Sequence, residues 1–123
     1  LREALATGTI QLNSSLDSAK DYIALVDVTR TLEQIASHGQ ARCYNLASGQ
    51  QTRHGEIVQA IAALTGAHVS VTPDAPRMDF PAIDIRRLRK EFGFSPQPPL
   101  DGLAALLPAT LMPATPGAAS LSL

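Results

Sequence analysis

Two stretches, KDYIALVDVTRTL at residues 20–32 and RCYNLASGQQT at residues 42–52, constrain the fold more than any other feature of the chain. Read in order, they give strand, helix, strand and glycine turn. Tyr22, Ile23, Leu25 and Val26 supply the aromatic and β-branched content that suits a pleated, half-buried surface, so a strand is expected over residues 21–26. Asp27 stands where it would cap the following helix, expected over residues 27–37. There Val28, Leu32 and Ile35 recur at helical spacing, Arg30 and Glu33 fall on the other face, and Gly39 marks the stop. A second strand is expected at residues 42–46. A helix joining two strands of one sheet is a β-α-β unit, which favours a parallel or mixed sheet.

The same punctuation extends along the chain. Residues 1–6 read as the end of a helix stopped near Gly8, residues 9–12 as a short strand, and residues 13–19 as a polar loop. Thr52 is placed to cap a helix whose stripe is Ile57, Val58, Ile61 and Leu64 and whose stop is Gly66. Residues 68–71 read as a strand broken off by Pro73 and Pro76. Asp84 opens a basic helix with Ile85, Leu88 and Phe92 on its apolar side and Gly93 at its end, and Asp101 opens a last helix running to about Leu107. Beyond it, Pro108, Pro113 and Pro116 among small residues remove any register, so residues 108–123 are expected to be a linker or disordered tail and residues 1–107 one domain.

Composition excludes several classes of function. A net charge of -1 with 17% charged residues offers no clustered basic surface for nucleic acid or an anionic membrane. The nearest candidate, RRLRK at residues 86–90, reads as the solvated face of its helix. No segment approaches the roughly 20 apolar residues that span a bilayer, so a soluble, cytoplasmic chain is expected. The single Cys43 has no disulfide partner within the chain; inside a strand it would be a buried, inert thiol. Cys43, His38, His54 and His68 lack the spacing of a metal site, and Ser48-Gly49 lacks the preceding glycine of a nucleophile elbow. Arg53 and His54 open a helix, where a cation opposes the dipole; solvent exposure or an approaching anion would each account for them.

The order of these blocks resembles the C-terminal half of the NAD-dependent epimerase/dehydratase family, the extended short-chain dehydrogenases that process nucleotide sugars. That family runs through an Arg-Asp-Tyr/Phe-Ile strand into Asp-Val-Ala-Arg-Ala, then a Tyr-Asn-hydrophobic-Gly-Ser/Thr-Gly strand and turn, a helix and a short strand. An Arg before Gly-Asp and an Asp-led helix ending in Leu-Gly-Trp complete it. This chain has KDYIALVDVTRTL, YNLASG, HVSVTP, PRMD and DIRRLRKEFGF in that order within residues 20–107. The resemblance implies an α/β fold with a small mixed or parallel sheet and flanking helices, the C-terminal portion of a Rossmann-type enzyme.

It also implies that a nucleotide sugar is the ligand and that its diphosphate is gripped by Lys20 and Arg77, charge-assisted donors of the kind a diphosphate requires. Two departures stand out. Lys20 replaces the family's forked arginine with a point charge, and Met78 replaces the glycine of Gly-Asp. Tyr44 and Asn45 match the family's structural pair. The family's chemistry, hydride removal and return at a sugar carbon, needs a glycine-rich pyrophosphate turn and a Tyr-x-x-x-Lys pair. The sequence contains neither, since Val26 follows Tyr22 at the fourth position and Ser48 follows Tyr44. No catalytic residue, metal or cofactor is therefore expected in this chain alone, and NAD or NADP is expected for a full-length protein with a missing N-terminal part. An opening of Leu-Arg-Glu-Ala without a starting Met fits that expectation. The alternative is a non-catalytic oligomerisation or ligand-binding module derived from the same fold. Without the partner half, the edge at residues 42–46 and the side chains of Leu46, Ile57 and Ile61 would face water, so a homo-oligomer is expected.

Overall fold

The computed structural model describes residues 1–107, and the tail expected at residues 108–123 lies outside the described residues. Four helices and four short strands alternate. The order is α1 (Arg2–Thr7), β1 (Thr9–Leu12), β2 (Ala19–Asp21), α2 (Leu25–His38), β3 (Gln51–Arg53), α3 (His54–Thr65), β4 (His68–Val71) and α4 (Arg86–Phe92), followed by a 3₁₀ turn at Ala104–Leu106. β1 pairs with β4 in parallel, Thr9 opposite His68 and Leu12 opposite Val71. β2 pairs with β3 antiparallel, Ala19 opposite Arg53 and Asp21 opposite Gln51. The expected class, α/β with a small mixed or parallel sheet and flanking helices, is the one observed, the parallel sheet being the β1–β4 pair.

The strand pairing differs from the expected one. Residues 42–46 form no strand, because a strand is defined by its ladder and the backbone N–H groups of Cys43 to Leu46 find no partner among the described residues. Side-chain tethers hold this stretch instead. Arg87 donates to the Cys43 carbonyl, Asn45 Nδ2 donates to the Asp84 carbonyl at 3.0 Å, and the Tyr44 hydroxyl donates to Glu91 Oε1 at 2.6 Å. The β-α-β unit is therefore absent, and Cys43 is exposed rather than buried. The first strand is shorter and earlier than expected: it ends at Asp21, and α2 already begins at Leu25 with Ala24 as its extended N-cap. Asp27 is thus inside the first turn, almost wholly buried, where its Oδ2 accepts the Gln97 N–H at 2.8 Å and fastens the chain beyond α4 to α2.

Thr52 likewise lies in β3, and α3 starts at His54, with the Glu56 carboxylate accepting the Arg53 N–H at 2.9 Å. Asp84 stands just ahead of α4, where its carboxylate accepts the Arg86 N–H at 2.9 Å. The helix expected from Asp101 is reduced to the 3₁₀ turn. Strands β1 and β4, α3 and α4, and the stops at Gly8, Gly66 and Gly93 match expectation.

Two apolar clusters hold the fold. One joins Ala4 of α1, Ile10 of β1, Val58 and Ile61 of α3, and Ala67; the other joins Ala47, Ile85, Leu88 and Phe94, with Ile35, Tyr44 and Leu46 packed against them. Leu88 is fully buried, which on its own stabilises by roughly 2 kcal/mol relative to an exposed leucine. Ile61 is buried, and Leu46 and Ile57 are half-buried, so these three do not form the open apolar face expected of them. Leu25, Val26 and Leu32 of α2 are exposed instead. No helix among the described residues is long and apolar enough to cross a membrane.

Candidate functional site

β2 is the spine of the candidate site. On one side it pairs with β3. On the other, residues 78–80 run beside it, with Ala19 N–H donating to the Met78 carbonyl at 2.9 Å and Phe80 N–H donating to the Ala19 carbonyl at 3.0 Å. Successive residues of an extended chain point to opposite faces, so this register puts Lys20 with Phe80 on one face and Asp79 on the other. Lys20 Nζ lies 5.1 Å from the centre of the Phe80 ring, within cation–π range. On the other face, Asp79 accepts from Arg77 Nη2 at 3.2 Å and from Gln51 Nε2 at 2.8 Å. The two cations expected at a diphosphate, Lys20 and Arg77, thus stand on adjoining segments, Lys20 with Phe80 on one face and Arg77 with Asp79 on the other. Lys20 is engaged by an aromatic face and Arg77 by a carboxylate.

Asp21, the next residue of β2, organises the surroundings. Its Oδ1 accepts the Ser48 N–H at 2.7 Å and the Ser48 hydroxyl at 2.6 Å; its Oδ2 accepts the Gly49 N–H at 2.9 Å and the Ile83 N–H at 3.0 Å. Burial pushes the Asp21 carboxyl up, but the hydrogen bonds from Ser48, Ile83 and Gly49 outweigh it and hold the pKa below its ordinary value. The side chain therefore stays an anion and ties β2 to the Ser48-Gly49 turn and to the loop before α4. Gly49 has φ of 76°, and a Cβ there would lie 2.7 Å from Ile85 Cδ1, so the turn needs glycine both for its backbone and for space.

On the Lys20 face, His54 is buried at the start of α3, its Nδ1 2.7 Å from the Ser14 hydroxyl and the edge of its ring toward Tyr22. Its Nε2 has no hydrogen-bond partner among the described residues. Burial, and secondarily the Lys20 charge, lower the His54 pKa, so the ring is held neutral. Burial raises the Tyr22 pKa, which leaves less phenolate available at neutral pH rather than more. Solvent exposure therefore does not account for His54, whose ring meets Ser14. Arg53 beside it is exposed. Among the described residues no group of three His, Cys, Asp or Glu side chains could hold a metal ion.

Next to Tyr22, the N-terminal turn of α2 borders an open apolar groove of about 660 Å³ lined by Ile23, Leu25, Pro99, Leu103 and Leu106. Nothing in the sequence signals this groove, or Phe80, Gln51 and Asp79 as neighbours of the two cations. Asp21 and Ser48-Gly49 lie within the quoted motifs, but nothing in their spacing shows that they meet.

Lys20 and Arg77 are charged donors of the kind that phosphate groups accept from. No family profile matches the sequence. A GDP-6-deoxy-D-mannose reductase of Pseudomonas aeruginosa is 24% identical over 79 residues, 63% of this chain and 26% of the reductase. The structure of a dTDP-glucose 4,6-dehydratase from Bacillus anthracis, solved with NAD, superposes with a TM-score of 0.67 at 18% identity, over 85% of this chain and 36% of that one. A UDP-glucose 4-epimerase from Bifidobacterium longum, solved with NAD+ and UDP, gives 0.62 at 22% identity, over 79% and 32%. The chain spans about a third of the length of these structures. The solved structures it resembles include these NAD-bound nucleotide-sugar enzymes, and it shares their fold over that partial region.

Proposed function

We propose that the chain is the C-terminal, substrate-side part of an NAD(P)-dependent nucleotide-sugar epimerase, dehydratase or reductase, and that Arg77 and Lys20 hold the diphosphate of its ligand. The observation that supports this reading is that Lys20 stands on β2 and Arg77 one residue ahead of the segment paired with it, each held only by an exposed side chain. Both side chains have weak partners to exchange for phosphate. The Arg77–Asp79 pair is exposed on both sides, and such surface pairs contribute little. The Lys20–Phe80 contact leaves the ammonium's own donors free. Arg77 would supply a planar fork and Lys20 a point charge. Asp21, anchored by four hydrogen bonds, fixes the strand that carries Lys20.

The chain holds no glycine-rich turn for a dinucleotide and no Tyr-x-x-x-Lys pair, so the cofactor and the proton-transferring residues belong, in this reading, to a part of the protein outside this sequence. A nicotinamide bound there would accept and return hydride at a sugar carbon. The contribution of this chain is to bind and orient the substrate.

The test is binding of uridine or thymidine diphosphate. Arg77→Ala should weaken it by about 1.5–3 kcal/mol, the scale of a hydrogen bond to a charged group, toward the lower end because Arg77 is exposed. Arg77→Lys should recover only part of the loss, and unchanged affinity in the alanine variant would return Arg77 to the solvent. A second reading, a non-catalytic module that associates with copies of itself, is favoured by one observation. The backbone N–H groups of Cys43 to Leu46 have no partner among the described residues, and unpaired backbone of that kind can recruit another strand.

A further inference from the structure

Phe80 is among the large apolar side chains left exposed, with 49% of its surface accessible, yet its backbone is clamped on both sides. Its N–H donates to the Ala19 carbonyl at 3.0 Å, and its carbonyl accepts from Gln51 Nε2 at 2.6 Å. Neither bond depends on the side chain, so any residue could hold this place in the pairing. The ring is not needed for a core either, because Phe80 belongs to neither apolar cluster. The pinned backbone places an aromatic ring at the edge of the paired strands, with the Lys20 ammonium 5.1 Å from its centre.

An anchored, half-exposed ring beside a cation offers two chemistries at once. The ring presents a π-face on which any planar heterocycle can stack, and the ammonium presents a charge for an oxyanion attached to it. A nucleoside diphosphate carries both partners. A bare diphosphate would use only the lysine, and an uncharged apolar ligand only the ring. A ring whose backbone is already pinned also loses little freedom when a ligand lies on it. Ile83, 44% exposed and tied through its N–H to Asp21 Oδ2, continues the exposed apolar stretch in the same loop.

We propose that Phe80 is a stacking platform for the base of a nucleoside diphosphate whose phosphates lie against Lys20. This rests on the reading of Lys20 and Arg77 as diphosphate cations. It makes Phe80 the residue that distinguishes a nucleotide from inorganic diphosphate at this patch.

The experiment is an amide-resolved NMR titration of the full chain with three probes: uridine diphosphate, inorganic pyrophosphate and glucose 1-phosphate. Phe80→Ala should weaken uridine diphosphate by about tenfold, on the scale of a single base–aromatic stack, and leave pyrophosphate within about twofold. Phe80→Trp should retain nucleotide binding. Phe80→Leu keeps the apolar bulk without the π-face and should lose as much as the alanine variant; full nucleotide affinity in Phe80→Leu would make the ring a packing element and overturn the proposal. Unchanged nucleotide affinity in Phe80→Ala would overturn it too while leaving the diphosphate reading intact, as would a loss confined to glucose 1-phosphate. Absence of binding by both uridine diphosphate and pyrophosphate would overturn the stacking platform and the diphosphate reading together.

Discussion

Replacing Asp21 by asparagine is the sharpest test of how the site is held. The substitution keeps the size of the side chain and removes one acceptor. Ser48 can still donate to the remaining carbonyl oxygen, but Gly49 N–H and Ile83 N–H, at 2.9 and 3.0 Å from Oδ2, would face an amide NH₂ that cannot accept. Two hydrogen bonds to a charged group are lost, each contributing about 1.5–3 kcal/mol when well sheltered. Asp21 is only half-buried, and water can reach part of the gap, so the expected loss is about 2–4 kcal/mol. Against a domain stability of about 5–15 kcal/mol, that is a large fraction. Urea unfolding followed by circular dichroism measures it directly.

The pH dependence supplies an independent check. Because the folded-state pKa of Asp21 is lowered, its stabilisation is fully present above the unfolded value near 3.8 and is lost as pH falls through the folded value. The wild-type chain should therefore lose stability below about pH 4 more steeply than Asp21→Asn. A variant within about 0.5 kcal/mol of wild type at neutral pH, with the same acid slope, would refute the view that this carboxylate ties three segments together.

Gly49→Ala should destabilise by about 2–4 kcal/mol in the same assay, because the new Cβ would add overlap with the buried Ile85 to the backbone strain. Gly66→Ala has a similar φ of 71° but open space around it and should cost only about 1 kcal/mol; equal losses at the two positions would remove the steric argument. His54 provides a second pH-dependent term. Its folded pKa is lowered, so its contribution is complete above the unfolded value of 6.5 and declines as pH falls below it. Urea midpoints at pH 7.5 and 5.5 should therefore fall further apart in the wild type than in His54→Gln, and identical intervals would mean that the imidazole is free to charge in place.

Much of the fold was legible in the sequence because it depends on local chemistry. The glycines at 8, 66 and 93 end helices wherever the backbone must turn left-handed, and the stripe of Ile85, Leu88 and Phe92 finds its core by helical spacing alone. Strands were legible only where a partner exists. β1 and β4 found each other; residues 42–46 carry equally good strand residues but have no ladder among the described residues. The end of β2 was misjudged because Leu25 and Val26 have strand-like side chains, yet Ala24 already takes the cap position and the helix begins behind it. At the site, the two cations could be read from their motifs, but their neighbours could not. Asp79, Gln51 and Phe80 reach them only through the pairing of β2 with two distant segments. For His54 the sequence offers only a helix opener facing solvent or an anion, because nothing near it announces Ser14, forty residues upstream.

The parallel pairing of β1 with β4 carries a consequence for the order of assembly. Thr9 meets His68 across about sixty residues of chain, and between them lie β2, α2, β3 and α3. Parallel pairs need such long crossovers, and closing a loop of that length costs entropy before any contact repays it. Within these residues β1 is made before β4 and has no strand partner among them until β4 follows. Ile10 therefore waits without the side chains of α3 that finally cover it. Its ladder is among the last contacts of this stretch to close.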